Sequence, residues 1–376
     1  MKVLHICNDF CYSKVHSNLY KELASIGIEQ TVFTFYGGED RDGRNGFEAV
    51  GTNIVYKNIL RPYHRFLYHN KIKTVAETLM TAVQPQEYDL CHAISVFTNG
   101  PLAYKLKQDY GIPYVVAVRN TDINAFLNIA PHTWPLGLKV LLNADRIIFI
   151  SPALKDSFCK HPVIKMVLNR IEPKFILQPN GIDDYWINNV EKGKKPVNHD
   201  IIYVGRFDTN KNVARLLKAV LSLQEKYPDI QMHLVGGGDT RHEEVMKIAN
   251  RHKDVVHYHG KIYDNVLLRE MYRKCSIFAM TSFYETFGLV YLEALSQNLA
   301  VVYTRHQGID GLFDMSVGES VNAHSQKSIT DAIERILNNR EHYSAHEVID
   351  FEEFRWSRIA NNYKNLFAQV ISRKNG

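Results

Sequence analysis

The fold of this chain is indicated by one stretch, residues 276–304, which reads SIFAMTSFYETFGLVYLEALSQNLAVVYT. It begins with a short apolar run, passes through a polar loop into a helical stretch, and ends with a second apolar run. One carboxylate, Glu293, stands in the helical stretch, which is otherwise apolar almost all the way round. A helix without a polar face is expected to be buried, and a buried Glu needs hydrogen-bond donors. We therefore expect the hydroxyl groups of a ligand to supply those donors.

Short apolar runs alternate with amphipathic stretches on both sides of a polar segment, residues 188–200. This alternation predicts parallel sheets with crossover helices. The expected fold class is α/β, with two doubly wound Rossmann-like domains facing a central cleft. The predicted bounds are 1–185 for the first domain, 186–199 for a linker, 200–352 for the second domain and 353–376 for a C-terminal helix. In such sheets, ligands bind beyond the carboxyl ends of the strands.

Composition excludes several classes of protein. With 376 residues, 45% apolar and 23% charged, the chain is typical of globular proteins, and a net charge of +5 is too weak for a nucleic-acid binder. The five cysteines are an odd number without paired metal spacing, which indicates a reducing compartment. No run approaches the roughly 18 apolar residues that span a bilayer. We expect a cytoplasmic protein, with peripheral contact at the inner face of the plasma membrane left open.

A local exception to the even charge distribution is Arg61–Lys73, RPYHRFLYHNKIK, which has four basic residues, several aromatic residues and no acid. One interpretation is a solvated helix face. The other is a patch for a membrane surface or an anionic acceptor. The sequence leaves both open.

Two predicted helix entrances in the second half carry candidate site residues. Arg206 follows the apolar run IIYVG, and Lys211 stands just before the next helix. Two cations at a helix entrance favour an anion, because free N–H groups there already attract negative charge. The loop before the Glu293 helix offers further amides from Thr286 to Leu289. If adjacent, the two entrances would hold a diphosphate without a metal; otherwise Arg206 is a surface ion-pair partner.

Two other motifs are weak. Gly236, Gly237 and Gly238 follow an apolar run but lack the later glycine of a dinucleotide fingerprint, so a dehydrogenase is disfavoured. Asp40-Arg41-Asp42 has the D-x-D spelling of metal-dependent sugar transferases, yet it lies in a glycine-rich polar loop. We predict no metal site and no cofactor.

Together these segments resemble the retaining GT-B glycosyltransferases, the family of sucrose-phosphate synthases and bacterial mannosyl- and N-acetylglucosaminyltransferases. The resemblance covers nearly the whole chain and is strongest in the second half. It is carried by VGRFDTNKN, LVGGGDTR, YHGKI and, most specifically, TSFYETFGLVYLEALSQN, which has two glutamates separated by seven residues. In the first half, YDLCHAI, IPYVVAV, ADRIIFIS and QPNGID follow in family order. The resemblance also implies that the C-terminal helix crosses back to the first domain.

The resemblance implies roles for individual residues. Arg206 and Lys211 would hold the diphosphate of the donor, and Glu293 would accept hydrogen bonds from its ribose. Glu285 would stand near the donor sugar. The remaining donor-binding residues would meet the sugar, phosphate or base: Gly205, Gly260, Lys261, Ile262, Thr286, Phe287, Gly288 and Leu289.

Two departures from the family pattern lie in the first half. The family usually has a glycine pair after the first strand, where this chain has NDFCYSKVHSN. It usually has a His after the YVVAV run, where this chain has Arg119. Asp122 matches a commonly acidic position, and we expect it to face the cleft. Arg119 and Asp122 are therefore candidate catalytic residues whose effect falls on acceptor and sugar choice.

The predicted activity is retaining transfer of a hexose from a UDP- or GDP-linked donor to a saccharide or lipid-linked saccharide, in cell-surface polysaccharide or glycolipid assembly. Two alternatives remain open. One is a nucleotide-sugar 2-epimerase or hydrolase on the same fold, and the other is a sugar-nucleotide-binding protein without catalysis. The sequence does not determine the oligomeric state.

Overall fold

The computed structural model describes residues 1–193, 196–313 and 317–373. The chain forms two compact units. The first comprises Met1–Ile150, Leu154–Gly181 and Trp356–Gly376, and the second comprises Ser151–Ala153 and Ile182–Arg355. Residues 194–195 of the predicted linker, 314–316 of the predicted second domain and 374–376 of the predicted C-terminal helix lie outside the described residues.

The first unit is built on a seven-stranded sheet in which all neighbouring strands are parallel, in the order β3-β2-β1-β4-β5-β6-β7. Because β1, β4 and β5 carry almost only buried side chains, they require cover on both faces. The strands are β1 (Lys2–Ile6), β2 (Glu29–Gly37), β3 (Thr52–Leu60), β4 (Leu90–Ala93), β5 (Tyr114–Ala117), β6 (Arg146–Phe149) and β7 (Phe175–Leu177).

Helices form the crossover connections between most of these parallel strands. They are α1 (Lys14–Ser25), α2 (Tyr68–Ala82), α3 (Gly100–Tyr110), α4 (Trp134–Asn143), α5 (Pro152–Lys160), α6 (Pro162–Lys165) and α7 (Leu168–Ile171). Local sequence determines where several of them start and stop. Ser13 caps α1 by accepting a hydrogen bond from the Val15 amide at 3.3 Å, and Gly111 ends α3 in the left-handed conformation with φ of 67°.

The second unit has a six-stranded parallel sheet in the order β10-β9-β8-β11-β12-β13. Its strands are β8 (Asp200–Gly205), β9 (Gln231–Gly236), β10 (Val256–Tyr258), β11 (Ile277–Ala279), β12 (Ala300–Thr304) and β13 (Gly318–Val321). The strand order reverses direction between β8 and β11, and a reversal of this kind leaves room for a ligand at the carboxyl ends of the strands.

The helices of the second unit are α8 (Asp184–Asn188), α9 (Val213–Leu221), α10 (His242–Arg251), α11 (Asn265–Lys274), α12 (Leu289–Ser296), α13 (Gln326–Asn338) and α14 (Ala345–Val348). The last helix of the chain, α15 (Trp356–Ser372), belongs to the first unit. The predicted fold class, two Rossmann-like parallel sheets with crossover helices, is confirmed.

Helix α15 supplies a large part of the core of the first unit. Its apolar side chains, Trp356, Ile359, Tyr363, Phe367 and neighbours, pack in one cluster with residues of α1, β1 and β4. The ring of Phe367 lies 6.2 Å from that of His5 and 5.7 Å from that of His92. The helix therefore covers a face of the first sheet that would otherwise expose apolar surface.

All five cysteines are free, and four of them are buried. Within the described part of the chain, no helix combines the length and hydrophobicity required to traverse a bilayer.

Removing a core ring from α15 should test whether the helix stabilises the first unit. We expect Phe367→Ala, at a side chain with no solvent exposure, to lower the free energy of unfolding by about 3–5 kcal/mol, through lost burial and the cavity that remains. Chemical denaturation provides the measurement. Gln369→Ala, on the exposed side of the same helix, is the matched control and should change stability by less than about 0.5 kcal/mol. A loss below about 1 kcal/mol for Phe367→Ala would contradict the core assignment.

Candidate functional site

The candidate site lies where four neighbouring strands of the second sheet end. Strands β10, β9, β8 and β11 are adjacent and parallel, so the loops that follow them share one edge of the sheet. These loops are residues 206–212, 237–241, 259–264 and 280–288. The predicted donor-binding residues of the second half lie in these loops, at the end of β8 and in the helix that follows the last loop.

Glycine brings three of these loops into backbone contact. Gly205 and Gly236 are register partners on β8 and β9, and the Gly236 amide donates to the Gly260 carbonyl at 2.7 Å. A Cβ atom on Gly236 would lie 1.8 Å from the Gly205 carbonyl oxygen, and its φ is +127°. Only glycine fits at this position. The glycine run therefore serves close packing of strand ends.

The central feature of the site is an ion pair between Lys211 and Glu285. Lys211 Nζ lies 2.7 Å from Glu285 Oε2, and the two side chains are only 16% and 14% exposed. The same ammonium lies 3.7 Å from the sulfur of Met280. The structure thus joins two predicted site residues that are far apart in sequence, and it holds a cation at the strand edge with little access to water.

The loop that carries Lys211 is fixed by its neighbours. The Lys211 amide donates to Asp208 Oδ1 at 2.8 Å, which closes a tight turn. Asn212 adopts the left-handed conformation with φ of 56°, and its side-chain amide donates to the carbonyls of Thr281 and Ala323 at 3.1 and 2.8 Å. Asparagine tolerates this conformation better than most residues. These bonds tie the loop after β8 to the loop after β11.

Glu285 is held from several directions. Its amide donates to Gln307 Oε1 at 3.1 Å, and its carbonyl accepts from the Gly308 amide at 2.9 Å. Its Oε1 accepts from the Thr286 amide at 3.1 Å, so both carboxylate oxygens have partners. Gly288 has a φ of +78°, and a Cβ atom there would lie 2.6 Å from the Tyr291 ring. Glycine is required for this turn into α12.

Arg206 lies at the exposed border of the site. Its side chain is 70% exposed and forms ion pairs with Asp208 at 3.2 Å and Asp239 at 3.4 Å. In this structure Arg206 therefore makes the contacts of a surface ion-pair partner, which is one of the two roles predicted for it. Asp208 links the two predicted cations, because one oxygen accepts from the Lys211 amide and the other pairs with the Arg206 guanidinium.

Glu293 lies on a partly exposed stripe of α12, together with Leu289 and Val290. The expectation that this helix is buried on all sides is therefore wrong for that stripe, whose side chains keep part of their solvent exposure. Burial and the nearby carboxylate of Asp183 raise the pKa of Glu293 to about 7, and the phenol of Tyr272 opposes the rise. A carboxyl group with this pKa changes its charge near neutral pH.

The other predicted donor-binding residues complete the same edge. Phe287 is buried at 2% exposure, Thr286 is half-buried, and Leu289 begins α12. Gly260 has a φ of +70° and is followed by exposed Lys261 and half-buried Ile262. The Lys261 side chain lies beside Gly238, since a Cβ atom there would be 3.5 Å from Lys261 Nζ.

In the first unit, Asp122 requires a correction. We expected it to face an open cleft, but it has no solvent exposure. Its two oxygens accept from the amides of Phe97 at 3.0 Å and Arg119 at 2.8 Å. Burial raises the pKa of Asp122 to about 6, although these amides favour the ionised form. Asp122 thus joins the loops that follow β4 and β5, and it is a positioning residue for Arg119.

Arg119 is half-buried at the carboxyl end of β5, and its Nε donates to the Ile94 carbonyl at 3.0 Å. A polar cluster near Arg119 was not predicted from the sequence. Asn8 donates to Asp9 Oδ1 at 2.7 Å and accepts from Asn99 at 2.7 Å. Burial raises the pKa of Asp9, and the charges of Arg119 and Lys71 oppose that rise. The sequence signal that could have predicted this cluster is the pair Asn8-Asp9, two residues after the end of β1.

The Asp40–Asp42 motif forms a local turn. The Tyr36 hydroxyl lies 2.8 Å from Asp40 Oδ1 and 2.6 Å from Asp42 Oδ1 and shares its one proton between them, and the Asp42 amide also donates to Asp40 Oδ1 at 3.0 Å. In residues 1–193, 196–313 and 317–373, no group of three or more His, Cys, Asp or Glu side chains has the arrangement of a metal site.

Both halves of the chain match known glycosyltransferases. Residues 184–347 match the family model of glycosyl transferases group 1, and residues 14–184 match that of Glycosyltransferase Family 4. A D-inositol 3-phosphate glycosyltransferase of Paenarthrobacter aurescens is 23% identical, over 93% of this chain and 90% of its own. A putative teichuronic acid biosynthesis glycosyltransferase, TuaC of Bacillus subtilis, is 20% identical, over 85% and 83%.

Solved structures show the same fold. Sucrose-phosphate synthase from Thermosynechococcus elongatus has a TM-score of 0.72 at 19% identity and covers 99% of this chain and 100% of its own. Anabaena HepE, solved in complex with UDP and glucose, has a TM-score of 0.60 at 16% identity, covering 100% and 97%. Residues 184–347 therefore belong to the glycosyl transferases group 1 family and residues 14–184 to Glycosyltransferase Family 4, and the solved structures share the GT-B fold of this chain.

Proposed function

We propose that this glycosyltransferase is a retaining hexosyltransferase that uses a UDP- or GDP-linked sugar as donor. The acceptor is a hydroxyl of a saccharide or lipid-linked saccharide, in cell-surface polysaccharide or glycolipid assembly. One observation carries the proposal. A shielded lysine, Lys211, is held by Glu285 at the carboxyl edge of the second sheet, the edge that also carries the loop of Gly260, where a Cβ atom would meet open space. The names of TuaC and of the HepE complex with UDP are consistent with it.

The proposed role of the cations follows from where charge develops. Cleavage of the bond between the sugar and the β-phosphate leaves negative charge on the diphosphate. Lys211 would stabilise that charge from a site where water screens it little, and Arg206 would join by turning from Asp239. Its exposed side chain has room to do so. A preorganised group of this kind contributes roughly 3 kcal/mol to the transition state.

Retention is proposed to arise from attack on the same face of the sugar from which the phosphate leaves. The departing phosphate oxygen would take the acceptor proton. Glu285 is a poor candidate for a covalent nucleophile, because Lys211 and the Thr286 amide already engage both of its oxygens. We assign it to the hydroxyl groups of the donor sugar. The acceptor is proposed to bind the first unit near Arg119, where the polar cluster lies.

Screening and mutation test the proposal together. A panel of UDP- and GDP-linked sugars should contain a ligand that stabilises the protein by about 2.7 kcal/mol at 100 times its dissociation constant, measured by thermal shift. With that donor and an acceptor pool, Arg206→Ala and Lys211→Ala should each lower kcat at least about a hundredfold, measured as release of the nucleoside diphosphate. Lys247→Ala, at an exposed lysine on α10, is the control and should retain full activity.

Three outcomes of that experiment would count against the proposal. An active Arg206→Ala variant removes the assignment of the diphosphate site. Rapid epimerisation or hydrolysis of donor alone indicates the 2-epimerase or hydrolase alternative. Donor binding without turnover against every acceptor indicates a binding protein.

Glu285 should compete with the donor diphosphate for Lys211. We expect Glu285→Gln to bind UDP or GDP about fivefold more tightly, because an ion pair worth about 1 kcal/mol no longer has to be exchanged. Transfer should nevertheless be lost, because the hydroxyl groups of the sugar lose their acceptor. Calorimetry measures the first effect and turnover the second. An unchanged dissociation constant for the nucleotide would show that the pair does not occupy the phosphate position.

The raised pKa of Glu293 gives a pH dependence with a defined sign. The ionised form is the better acceptor for ribose hydroxyls, so donor affinity should fall by up to about tenfold per pH unit below pH 7. The intact donor is the ligand to titrate, because its diphosphate does not change charge in this range. Glu293→Gln should bind the donor weakly with no such dependence. A wild-type profile that is flat from pH 8 to 5.5 would contradict the role of Glu293.

The same pKa makes a prediction for stability without any ligand. The folded state holds the Glu293 proton more tightly than the unfolded state, where the pKa is near the ordinary 4.5. Wild-type stability is therefore lost as pH rises through about 7. At pH 8, Glu293→Gln should raise Tm by about 2–4 °C, and the gain should vanish by pH 5.

A further inference from the structure

We propose that one face of the first unit docks on a membrane surface that carries anionic lipids. The membrane face is formed by the apolar side chains Tyr63, Phe66, Leu67 and Ile129 and by the basic side chains Arg61, Arg65 and Lys73. It includes the basic and aromatic segment that the sequence analysis left open between a solvated helix face and a binding patch. The inference does not depend on the reaction that the second unit supports.

Large apolar side chains of this face are exposed to solvent. Phe66 is 79% exposed, Leu67 54% and Tyr63 51%, and Ile129 in a neighbouring loop is 75% exposed. Single exposed apolar residues are common on proteins, but a group of four requires an explanation. Aromatic rings flanked by basic residues are typical of segments that lie in the interface of a bilayer.

The segment is ordered by the residues between the exposed ones. His64 is buried, and its ring accepts from the Arg61 amide at 3.0 Å and contacts Asn70 Oδ1 at 3.1 Å. Tyr68 is also buried and donates its hydroxyl to the Phe97 carbonyl at 2.8 Å. These two inward anchors hold the intervening Arg65, Phe66 and Leu67 outward. The apolar side chains are therefore presented by a fixed turn, and docking requires little additional ordering.

Ile129 shares this face through Tyr68. The ring of Tyr68 lies 5.9 Å from the ring of Phe126 and 6.2 Å from that of His132. Ile129 stands between those two residues in the chain, in the loop before α4. The two segments that carry the exposed apolar side chains are therefore neighbours on the first unit.

The charge of this face indicates which class of partner binds it. Residues 61–76 and 123–144 contain no Asp or Glu, and the exposed Glu77 that follows the first segment lies 3.9 Å from Lys73 as a weak surface ion pair. Arg61, Arg65 and Lys73 are exposed, whereas Lys71 is half-buried beside Asp9 and is not part of the face. A second copy of this chain would bring like charges together, which disfavours self-association. An anionic lipid surface satisfies both the positive charge and the apolar side chains.

Vesicle sedimentation with the full chain tests the proposal. Binding is compared on vesicles of phosphatidylcholine alone and on vesicles with 30% phosphatidylglycerol, at about 0.1 M salt. We expect binding only to the anionic vesicles, and we expect it to weaken at about 0.5 M salt because charges are then screened. The double variant Arg65→Gln/Lys73→Gln should bind about 25-fold more weakly, which is roughly fivefold for each basic residue at such a surface.

The apolar contribution has its own variant and control. Phe66→Ser/Leu67→Ser should bind at least about tenfold more weakly, because two large apolar side chains no longer enter the interface. Val50→Ser, at a 99% exposed apolar residue outside the face, should bind as the wild type does. Unfolding midpoints equal to that of the wild type show that each variant is folded.

Three results would overturn the proposal. The first is equal binding to neutral and anionic vesicles, and the second is unchanged binding by both double variants. The third is a wild-type dimer in solution that Phe66→Ser/Leu67→Ser converts to a monomer, since a second copy would then cover the face. Light scattering measures the oligomeric state.

Discussion

The candidate donor site depends on the ion pair between Lys211 and Glu285, and this pair exists because parallel strands end at one edge of a sheet. Lys211 precedes the helix after β8, and Glu285 stands in the loop after the adjacent β11. Placing a lysine ammonium where its side chain is only 16% exposed costs free energy unless an anion lies near it. In this structure Glu285 is that anion. A diphosphate that binds here must offer Lys211 at least as favourable a partner.

The remaining charges of the site are arranged around this pair. Asp208 connects the backbone of Lys211 with the guanidinium of Arg206, and Asp239 holds the other side of that guanidinium. The two cations are therefore balanced by three carboxylates before any ligand binds. A diphosphate can bind here only if its oxygens replace Glu285 at Lys211 and at least one of the two aspartates at Arg206.

The first unit uses its carboxylates differently. The carboxylate of Asp122 accepts hydrogen bonds from two backbone amides and so fixes the loop that carries Arg119. Asp9 instead lies near two cations, Arg119 and Lys71. In the loops after β1 and β5, this unit departs from the family pattern. It also carries the membrane face, whose basic residue Lys73 lies on α2. An acceptor attached to a lipid would meet both features on the same unit, which connects the polar cluster with the proposed docking surface.

The sequence by itself determined the two α/β units, the strand–helix order and the choice of Lys211 and Glu285 as candidate site residues, whereas their ion pair was known only from the structure. Apolar periodicity and a motif of fixed spacing are local properties that do not require coordinates. The tertiary structure alone decided that Asp122 is buried, that Glu293 lies on a partly exposed stripe, and that Asp208 joins the two cations. The burial and the partners of a carboxylate depend on which distant backbone and side chains approach it. Neighbouring residues in the sequence carry no information about that approach.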